Sequence, residues 1–404
     1  MNSDYTDQLN KAMESIEAAF RRNLSLTRVI ITKINEVVHE LTRVYRYEPK
    51  IKIMNFCGTH EWTVTHYGIR SLIPSSIVLV AGPGCPICVT PSHFIEESIR
   101  LALDDITIYT YGDVYRLRAI RPVKGVYSLS EAKAHGASVK IITSIAEAIN
   151  DARAHGKESV FVGIGFETVA SGYARAILSG MLPPNLKFLS VVKLTPPAMK
   201  YTLEIHRQER LVKGVIAPGH VSTIIGAKAW HEVSKEFGIP IVVSGFEPID
   251  VLLSILEILR QLVKGKADTV IEYKRAVTWD GDLEAQKMIR EVFEVVDDAW
   301  RGIGFIPRSG LRLKKRFRMY DAFGEYGVRD VAPGDWVHDL SPGCRCADVI
   351  LGRAMPSQCP LFMKTCTPST PVGPCMVSIE GTCSIWAKHR VLDVEAIKDL
   401  EAIQ

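Results

Sequence analysis

A cysteine and a histidine three residues apart form the first candidate site in the sequence. Cys57 and His60 lie in the heptad 55–61, directly after the apolar run 51–54, which predicts a short strand. Thiolate sulfur and imidazole nitrogen are donors that iron, zinc and copper accept. Two protein ligands would leave such a metal with open positions for other groups. The same residues also fit a buried cysteine beside a histidine that hydrogen-bonds its own turn.

A Cys-x-x-Cys motif, Cys85 and Cys88, follows the next predicted strand. Two thiols at this spacing can close into a disulfide, and a following helix N-terminus lowers the pKa of the first thiol. This predicts a dithiol/disulfide couple that carries two electrons. The other interpretation is half of a zinc site, but the chain contains no second Cys-x-x-Cys to complete it.

The remaining six cysteines fall within 40 residues near the C-terminus, far more than packing needs. They are Cys344, Cys346, Cys359, Cys366, Cys375 and Cys383. Four thiolates suit either a [4Fe–4S] cluster or a zinc ion, and the spacing alone leaves both open.

Composition limits the classes of function. The chain has 404 residues, enough for two or three domains, and its 47% hydrophobic content is typical of a globular protein. A net charge of +4 is too small to indicate nucleic-acid binding. We expect neither a signal peptide nor a membrane span, and therefore a cytoplasmic protein in which clustered cysteines bind metal or do redox chemistry.

The middle of the chain alternates predicted strands and helices. The strands are 51–56, 77–81, 106–111, 139–142, 160–164, 188–192, 214–217 and 241–244. The helices are 94–103, 145–155, 172–178, 197–209, 221–237 and 249–263. This alternation favours parallel sheets covered by helices. The run is too long for one small sheet, so we expect two α/β domains with a seam near 129–138.

Several candidate residues come directly after predicted strands, where parallel sheets gather their sites. Cys57 and the loop 82–88 do so, as do Gly-Phe-Glu-Thr at 165–168 and Pro-Gly-His at 218–220. The glycines at 163–165 lack the third glycine of a dinucleotide-binding turn, so a nucleotide site is not indicated. Glu167 and Thr168 are candidates for hydrogen bonds to the site. His220 is a candidate ligand or base, but the interpretation we favour is that it orders the interface between the domains.

The two ends of the chain differ from its middle. Apolar residues at helical spacing from Leu9 to Phe20 and from Leu24 to Leu41 predict an N-terminal helical arm. Residues 281–296 are predicted to be helical. The repeated Pro and Gly that follow indicate a turn-rich region, which we expect a bound metal to stabilise because it cannot form a large core. The predicted divisions are an arm (1–48), two α/β domains (49–133 and 134–265) and a cysteine-rich domain (266–404).

Taken together, the motifs resemble the HypD family of nickel–iron hydrogenase maturation proteins. The resemblance rests on Asn-Phe-Cys-Gly-Thr-His-Glu (55–61), Gly-Pro-Gly-Cys-Pro-Ile-Cys-Val-Thr-Pro (82–91), Gly-Phe-Glu-Thr (165–168), Pro-Gly-His-Val-Ser-Thr-Ile-Ile-Gly (218–226), Trp-Arg-Gly-Ile-Gly (300–304) and the cysteine-rich tail. It runs in order from about Ile51 to about Trp386. Departures are local: Glu61 stands where the family often has Thr, and Val169, Ser171 and Ala347 also differ.

The resemblance implies a scaffold rather than a conventional turnover enzyme. Family members assemble an iron centre that carries two cyanides and one carbon monoxide, together with a small HypC-type chaperone and a HypE-type enzyme that brings cyanide as a thiocyanate. By motif, Cys57 and His60 are the iron residues and Cys85 with Cys88 the redox pair.

The resemblance also implies a fold of two parallel-sheet α/β domains plus a turn-rich iron–sulfur domain. The [4Fe–4S] ligands fall on Cys344, Cys359, Cys366 and Cys383, which leaves Cys346 and Cys375 as extra thiols. Two alternatives remain, a thiol–disulfide reductase acting on a protein partner and a non-catalytic adaptor with structural zinc.

Overall fold

The computed structural model of the chain describes residues 24–207, 212–334, 336 and 339–389. The predicted helical stretch from Leu9 to Phe20 and the predicted helix end at Glu209 lie outside these residues. None of the described helices combines the length and the apolar character needed to cross a membrane.

Strands and helices alternate along most of the chain, as the sequence predicts. The first elements are α1 (Leu24–Tyr45), β1 (Ile51–Asn55), α2 (Gly58–His66), α3 (Ile69–Leu72), β2 (Ile77–Ala81), α4 (Pro86–Val89), α5 (Ser92–Leu103), β3 (Thr107–Thr110), α6 (Gly112–Arg116), α7 (Leu129–Ala134) and β4 (Val139–Ile141). The next are α8 (Ile145–His155), β5 (Ser159–Gly165), α9 (Glu167–Leu178), β6 (Leu186–Lys193), α10 (Thr195–Arg207), β7 (Val212–Pro218), α11 (Gly219–Ile225), α12 (Lys228–Phe237), β8 (Ile241–Ser244), α13 (Pro248–Val263) and β9 (Thr269–Ile271). The last are α14 (Leu283–Val292), β10 (Phe293–Trp300), β11 (Gly304–Leu313), a 3₁₀ helix (Lys315–Tyr320), α15 (Ala322–Tyr326), α16 (Cys346–Ile350), a second 3₁₀ helix (Pro356–Gln358), α17 (Pro374–Val377) and α18 (Thr382–His389).

The first sheet is entirely parallel, in the order β2-β1-β7-β8-β9. Its strands are short apolar runs because helices cover both faces. One of these helices is α1, whose buried stripe Ile30, Ile34, Val38 and Leu41 packs in one core with α13. The predicted N-terminal helical arm is therefore confirmed from Leu24 onward, and it belongs to the first sheet's core.

The second sheet has the order β10-β11-β6-β5-β3-β4 and is mixed. Strands β4, β3, β5 and β6 are parallel, as predicted, but β11 runs antiparallel to β6 and β10 runs antiparallel to β11. The predicted α/β fold with parallel sheets is confirmed, and the second sheet carries two additional antiparallel strands at one edge. The helix predicted over 281–296 ends at Val292, and the chain continues as β10. A register shift between Val296 and Asp298 interrupts the alternation that would have indicated a strand.

Each sheet is built from two separate segments of the chain. Strand β3 comes before the predicted seam near 129–138, yet it pairs with β4 and β5, and β7 then returns to the first sheet. All eight predicted strands are present. The helix predicted over 221–237 is divided into α11 and α12 at Gly226. The result is two sheets, each built from separate segments of the chain, with their strand ends directed toward a common cleft.

Candidate functional site

A cleft of about 560 Å³ lies where the C-terminal ends of strands from both sheets meet. Cys57 and His220 line it from the first sheet, and Phe166 and Thr168 line it from the second. The loop 378–380, between α17 and α18, forms a further wall. This placement agrees with the expectation that the candidate residues gather at strand ends. Of the nine cysteines, all of which are described, only Cys57 lines the cleft.

Cys57 occupies the N-cap position of α2, with extended backbone (φ −154°, ψ 134°). The backbone N–H groups of His60 and Thr59 and the Thr59 side chain hydrogen-bond its sulfur, and they favour the thiolate. Burial, reinforced by the Glu380 carboxylate, outweighs these donors and raises the pKa of Cys57 to about 11. The free thiol therefore keeps its proton at neutral pH, and a bound metal ion would have to displace it.

Glu380 approaches Cys57 because Gly58 leaves room for it. A Cβ atom at Gly58 would lie 2.5 Å from the Glu380 carbonyl oxygen and 2.7 Å from its Cβ. On the other side of the cleft, Asp113 Oδ2 accepts the N–H of Ile379 at 3.0 Å. Burial is the main cause that raises the pKa of the Glu380 carboxyl group, and the negative charge of Asp113 raises it further. The loop thus spans from α2 to α6. The sequence analysis missed Glu380, whose only signal was an acidic residue between two cysteines of the tail.

His60 lies behind Cys57 in the adjoining core. Its Nε2 is 2.9 Å from the Gly245 carbonyl oxygen and 3.3 Å from that of Ser244, and its ring stacks on Phe246. Among the described residues its Nδ1 has no hydrogen-bond partner. Burial lowers the pKa of His60 to about 4, so the ring is neutral. With the proton on Nε2, Nδ1 keeps a lone pair that suits a metal ion.

Phe246 connects His60 with the second histidine of the site. Its ring stacks on His60 at 4.9 Å and on His220 at 4.0 Å between ring centroids. His220 lines the cleft, and burial lowers its pKa. The sequence analysis missed Phe246, because a single phenylalanine after a strand carries no signal of its own.

The Cys85–Cys88 loop packs directly against Cys57. The two cysteines form a disulfide, and the Cys88 N–H lies 3.2 Å from Cys85 Sγ. Gly84 makes the approach possible, because a Cβ atom there would lie 2.5 Å from the Cys57 backbone nitrogen. The structure therefore brings together the two motifs that the sequence analysis singled out separately.

Glu61 ties helix α2 to α18, the helix that carries Cys383. Its buried carboxylate accepts hydrogen bonds from Arg70 at 2.9 Å, Asn55 at 2.9 Å and the Trp386 indole at 2.7 Å. The Arg70 guanidinium also lies over the Trp386 ring. Glu61, a departure from the resembled family, thus has a complete set of local partners.

Removing the Glu61 carboxylate should be strongly destabilising. We expect Glu61→Ala to lower the free energy of unfolding by about 2–3 kcal/mol, because it leaves Arg70 without its ion-pair partner and the indole N–H of Trp386 without an acceptor. Urea unfolding measures this change. Glu36→Ala is the control, because Glu36 forms an exposed pair with Lys33 and should cost less than about 1 kcal/mol. Equal losses in the two variants would contradict the role of Glu61.

Glu167 of the Gly-Phe-Glu-Thr motif lies beneath the cleft wall. Its carboxylate accepts the Thr195 N–H at 2.8 Å and the Thr195 hydroxyl at 3.1 Å, which ties the start of α9 to the start of α10. Burial raises the pKa of Glu167 from 4.5 to about 7. Glu167 therefore makes its hydrogen bonds to the helices that support the site, and Thr168 lines the cleft itself.

This raised pKa predicts a pH-dependent stability. Between pH 4.5 and 7 the folded chain holds a proton that the unfolded chain has released, so Glu167 lowers stability as pH rises through this window, by up to about 3 kcal/mol. Glu167→Gln cannot ionise and keeps an acceptor for Thr195. It should therefore be more stable than the wild type at pH 8 and similar near pH 4.5. The exposed Glu284→Gln is the control, and an unchanged profile in Glu167→Gln would refute the assignment.

The C-terminal cysteines gather into one group, which we call the cysteine cluster: Cys344, Cys346, Cys366, Cys375 and Cys383. Hydrogen bonds join Cys344 to Cys346, and Cys346 to Cys375 and Cys383. The bond with Cys346 raises the pKa of Cys344, whereas the bonds from Cys346 and Cys375 lower that of Cys383. Cys359 lies at the edge, with its sulfur 3.9 Å from the Gly343 carbonyl oxygen.

The cysteine cluster is a group of sulfur donors. Within the described ranges, no three or more His, Cys, Asp or Glu side chains are arranged to hold a metal ion. Helix α17, which carries Cys375, packs against α4, which carries Cys88. The structure therefore brings Cys346 and Cys375 into the group, although the resemblance had left them as extra thiols. The predicted ligand set of Cys344, Cys359, Cys366 and Cys383 remains a prediction.

Comparison with known proteins identifies the family. Residues 30–390 match the HypD model, described as the hydrogenase formation hypA family. A putative hydrogenase expression/formation protein of Methanocaldococcus jannaschii is 39% identical over 369 residues, 91% of this chain and 98% of that protein. The hydrogenase maturation factors HypD of Cupriavidus necator and Escherichia coli K12 are 38% and 34% identical, over 83% and 87% of this chain and 88% and 92% of their own lengths. The chain therefore belongs to the HypD family.

Proposed function

We propose that this protein is a hydrogenase maturation factor that serves as the scaffold for an iron centre carrying two cyanides and one carbon monoxide. Family membership supports the general role. The observation that carries the specific role is the position of Cys57, the one cysteine on the cleft wall, with the Cys85–Cys88 loop packed on its backbone. Iron is the cargo of this site, and the protein acts as a scaffold rather than as a conventional turnover enzyme.

Cys57 and His60 are the proposed protein ligands of the iron. When Fe(II) binds, the Cys57 proton leaves, and the N–H groups at the start of α2 stabilise the thiolate. His60 keeps its proton on Nε2, held by the Gly245 carbonyl, and offers the lone pair of Nδ1. The remaining positions accept cyanide, carbon monoxide and a cysteine from a small HypC-type chaperone.

Release of cyanide from a thiocyanate is a two-electron reduction, for which Cys85 and Cys88 are the proposed donors. The S–C bond of the thiocyanate on a HypE-type partner breaks, and cyanide passes to the iron. The two thiols lose two electrons and two protons and become the disulfide, while the partner sulfur takes one proton and solvent takes the other. The Cys85–Cys88 disulfide in the structure supports the capacity of this pair for such an oxidation.

The cysteine-rich region fits the [4Fe–4S] cluster that the resemblance implies. Thiolates are the donors that such clusters use, and the thiols of Cys344, Cys366 and Cys383 lie together, with Cys359 at the edge of the group. When bound, the cluster supplies single electrons. The proposed role of the neighbouring residues is to hold it close to α4, within the same core as the Cys85–Cys88 pair.

A thiol–disulfide reductase is the second candidate, favoured by the packing of α17 against α4. It needs Cys85 and Cys88 but has no use for Cys57 or His60. The colour of the purified protein distinguishes the third alternative, a non-catalytic adaptor with structural zinc, from these two candidates. A zinc protein is colourless, whereas an iron–sulfur protein is brown.

Metal analysis of anaerobically purified protein, co-expressed with its maturation partners, tests the proposal. A [4Fe–4S] cluster contains iron and acid-labile sulfide in equal amounts. We expect the wild type to hold more iron than sulfide and Cys57→Ser to hold equal amounts. Equal amounts in the wild type would contradict an additional iron at Cys57, and zinc in place of iron would favour the adaptor.

A further inference from the structure

Arg301 holds a buried positive charge between the Cys85–Cys88 loop and the cysteine cluster. The residue is 2% exposed. Its backbone N–H donates to the carbonyl of Val89, the residue after Cys88, at 2.9 Å. Its Nε donates to the Asp339 carbonyl and its Nη2 to the Arg118 carbonyl, each at 2.9 Å. Among the described residues, Nη1 has no hydrogen-bond partner.

Arg301 lies in the turn between β10 and β11. Its charge is balanced differently from that of Arg312, a buried arginine in β11. Arg312 forms ion pairs with Asp298 and Asp330. The hydrogen bonds of the Arg301 guanidinium go to backbone carbonyls, which carry no net charge. The acidic groups that act electrostatically on it are, in order of strength, Asp339, Cys346, Cys344 and Glu96. Two of these four are members of the cysteine cluster, whose thiolates would carry negative charge once they bind a metal, and the cluster would then be part of the counter-charge that a buried guanidinium requires.

The position of the charge is fixed by packing. Gly302, the next residue, packs against Leu340 and against Ala347 of α16, the helix that begins at Cys346. The three hydrogen bonds of Arg301 connect it to the end of α4 and to the backbone at positions 118 and 339, which fixes its position. A charge held in a buried site is weakly screened, and it therefore acts strongly on any change of charge nearby.

We propose that Arg301 is the fixed counter-cation of the cysteine cluster and that it raises the reduction potential of the iron–sulfur centre bound there. The inference rests on the proposed function, which assigns a cluster to these cysteines. Reduction adds one electron and therefore one negative charge, without forming or breaking a bond. The electron comes from a one-electron donor, such as a reduced low-potential iron–sulfur protein or a chemical titrant. The guanidinium stabilises the added charge, so reduction becomes more favourable.

A potentiometric titration of the full chain, purified anaerobically with its cluster and followed by electron paramagnetic resonance, tests the inference. We expect Arg301→Gln to lower the ratio of reduced to oxidised cluster about tenfold at a given applied potential, which is a shift of about 59 mV for one electron. Arg301→Lys keeps the charge and should shift the ratio less. Asp339→Asn removes a negative charge at the same place and should raise the ratio.

Arg345→Gln is the matched control. Arg345 lies between Cys344 and Cys346 in sequence, but its side chain is 40% exposed and is paired with Asp348, so solvent screens its charge. Arg345→Gln should therefore change the ratio of reduced to oxidised cluster less than Arg301→Gln does.

The possible results are distinguishable. A ratio in Arg301→Gln equal to that of the wild type, or a shift no larger than in Arg345→Gln, would overturn the role of Arg301 while leaving the proposed function in place. If Arg301→Gln fails to hold a cluster, an unchanged or lowered ratio in Asp339→Asn would overturn it instead. A wild-type chain that holds no iron–sulfur cluster would overturn both this inference and the cluster in the proposed function.

Discussion

Cys57→Ser is expected to abolish hydrogenase maturation, with a loss of more than about 100-fold in hydrogenase activity when the variant replaces the wild type in its host. Even the loss of a group that only orients a metal ligand typically costs 10–100-fold, and Cys57 is itself a proposed ligand. The fold should persist, because Cys57 lies on the cleft wall and a serine can occupy the same N-cap position. The iron–sulfur absorbance should also persist.

Thr59→Ala is the matched control for Cys57→Ser. It removes a side-chain hydrogen bond to the Cys57 sulfur and leaves the sulfur itself in place. We expect maturation to be reduced in this variant but not abolished. Normal maturation by Cys57→Ser would contradict an iron site at Cys57 and would favour the thiol–disulfide reductase.

Cys85→Ser is expected to block cyanide attachment while the absorbance of the iron–sulfur cluster remains. The variant cannot form the disulfide with Cys88, so the two electrons that release of cyanide requires are no longer available from this pair. Infrared spectra of the complex with its maturation partners measure the attached cyanide directly. We expect at least a tenfold weaker cyanide signal per protein than in the wild type.

Cys88→Ser should reproduce this effect, because either thiol alone is insufficient for a two-electron couple. Thr90→Ala is the control: it changes a hydrogen bond to the Pro86 carbonyl in the same loop but leaves both thiols. Normal maturation by Cys85→Ser would contradict the electron relay while leaving the iron site at Cys57 unaffected.

The fold could be predicted from sequence wherever strands are short apolar runs between helices. Both sheets have such strands, and all eight were found. Three strands were missed: β9, which has only three residues, and β10 and β11. In the β10–β11 hairpin, acidic residues at 297–298 and the residues Pro307 and Gly310 imitate a turn-rich region. The exchange of segments between the sheets could not be predicted, because β1 pairs with β7 far along the chain, with Lys52 opposite Val212. Local periodicity contains no information on such pairings.

The site was predictable to the extent that it lies at strand ends. Cys57 and the Cys85–Cys88 loop follow the paired strands β1 and β2, so their proximity follows from the parallel sheet. The contact of Glu380 with α2 and the bond from Trp386 to Glu61 join residues more than 300 positions apart. Only the tertiary fold creates these contacts. For the same reason, spacing could not show that Cys346 and Cys375 lie within the cysteine cluster.

An infrared spectrum of the anaerobically purified protein tests the central claim most directly, with the small chaperone and the cyanide-supplying enzymes co-expressed. Metal-bound cyanide and carbon monoxide absorb in a region free of protein bands. We predict bands from both ligands in the wild type and none in Cys57→Ala. A wild-type complex that holds its iron–sulfur cluster but shows no such bands, or a Cys57→Ala variant that retains them, would contradict the assembly of the iron centre at Cys57.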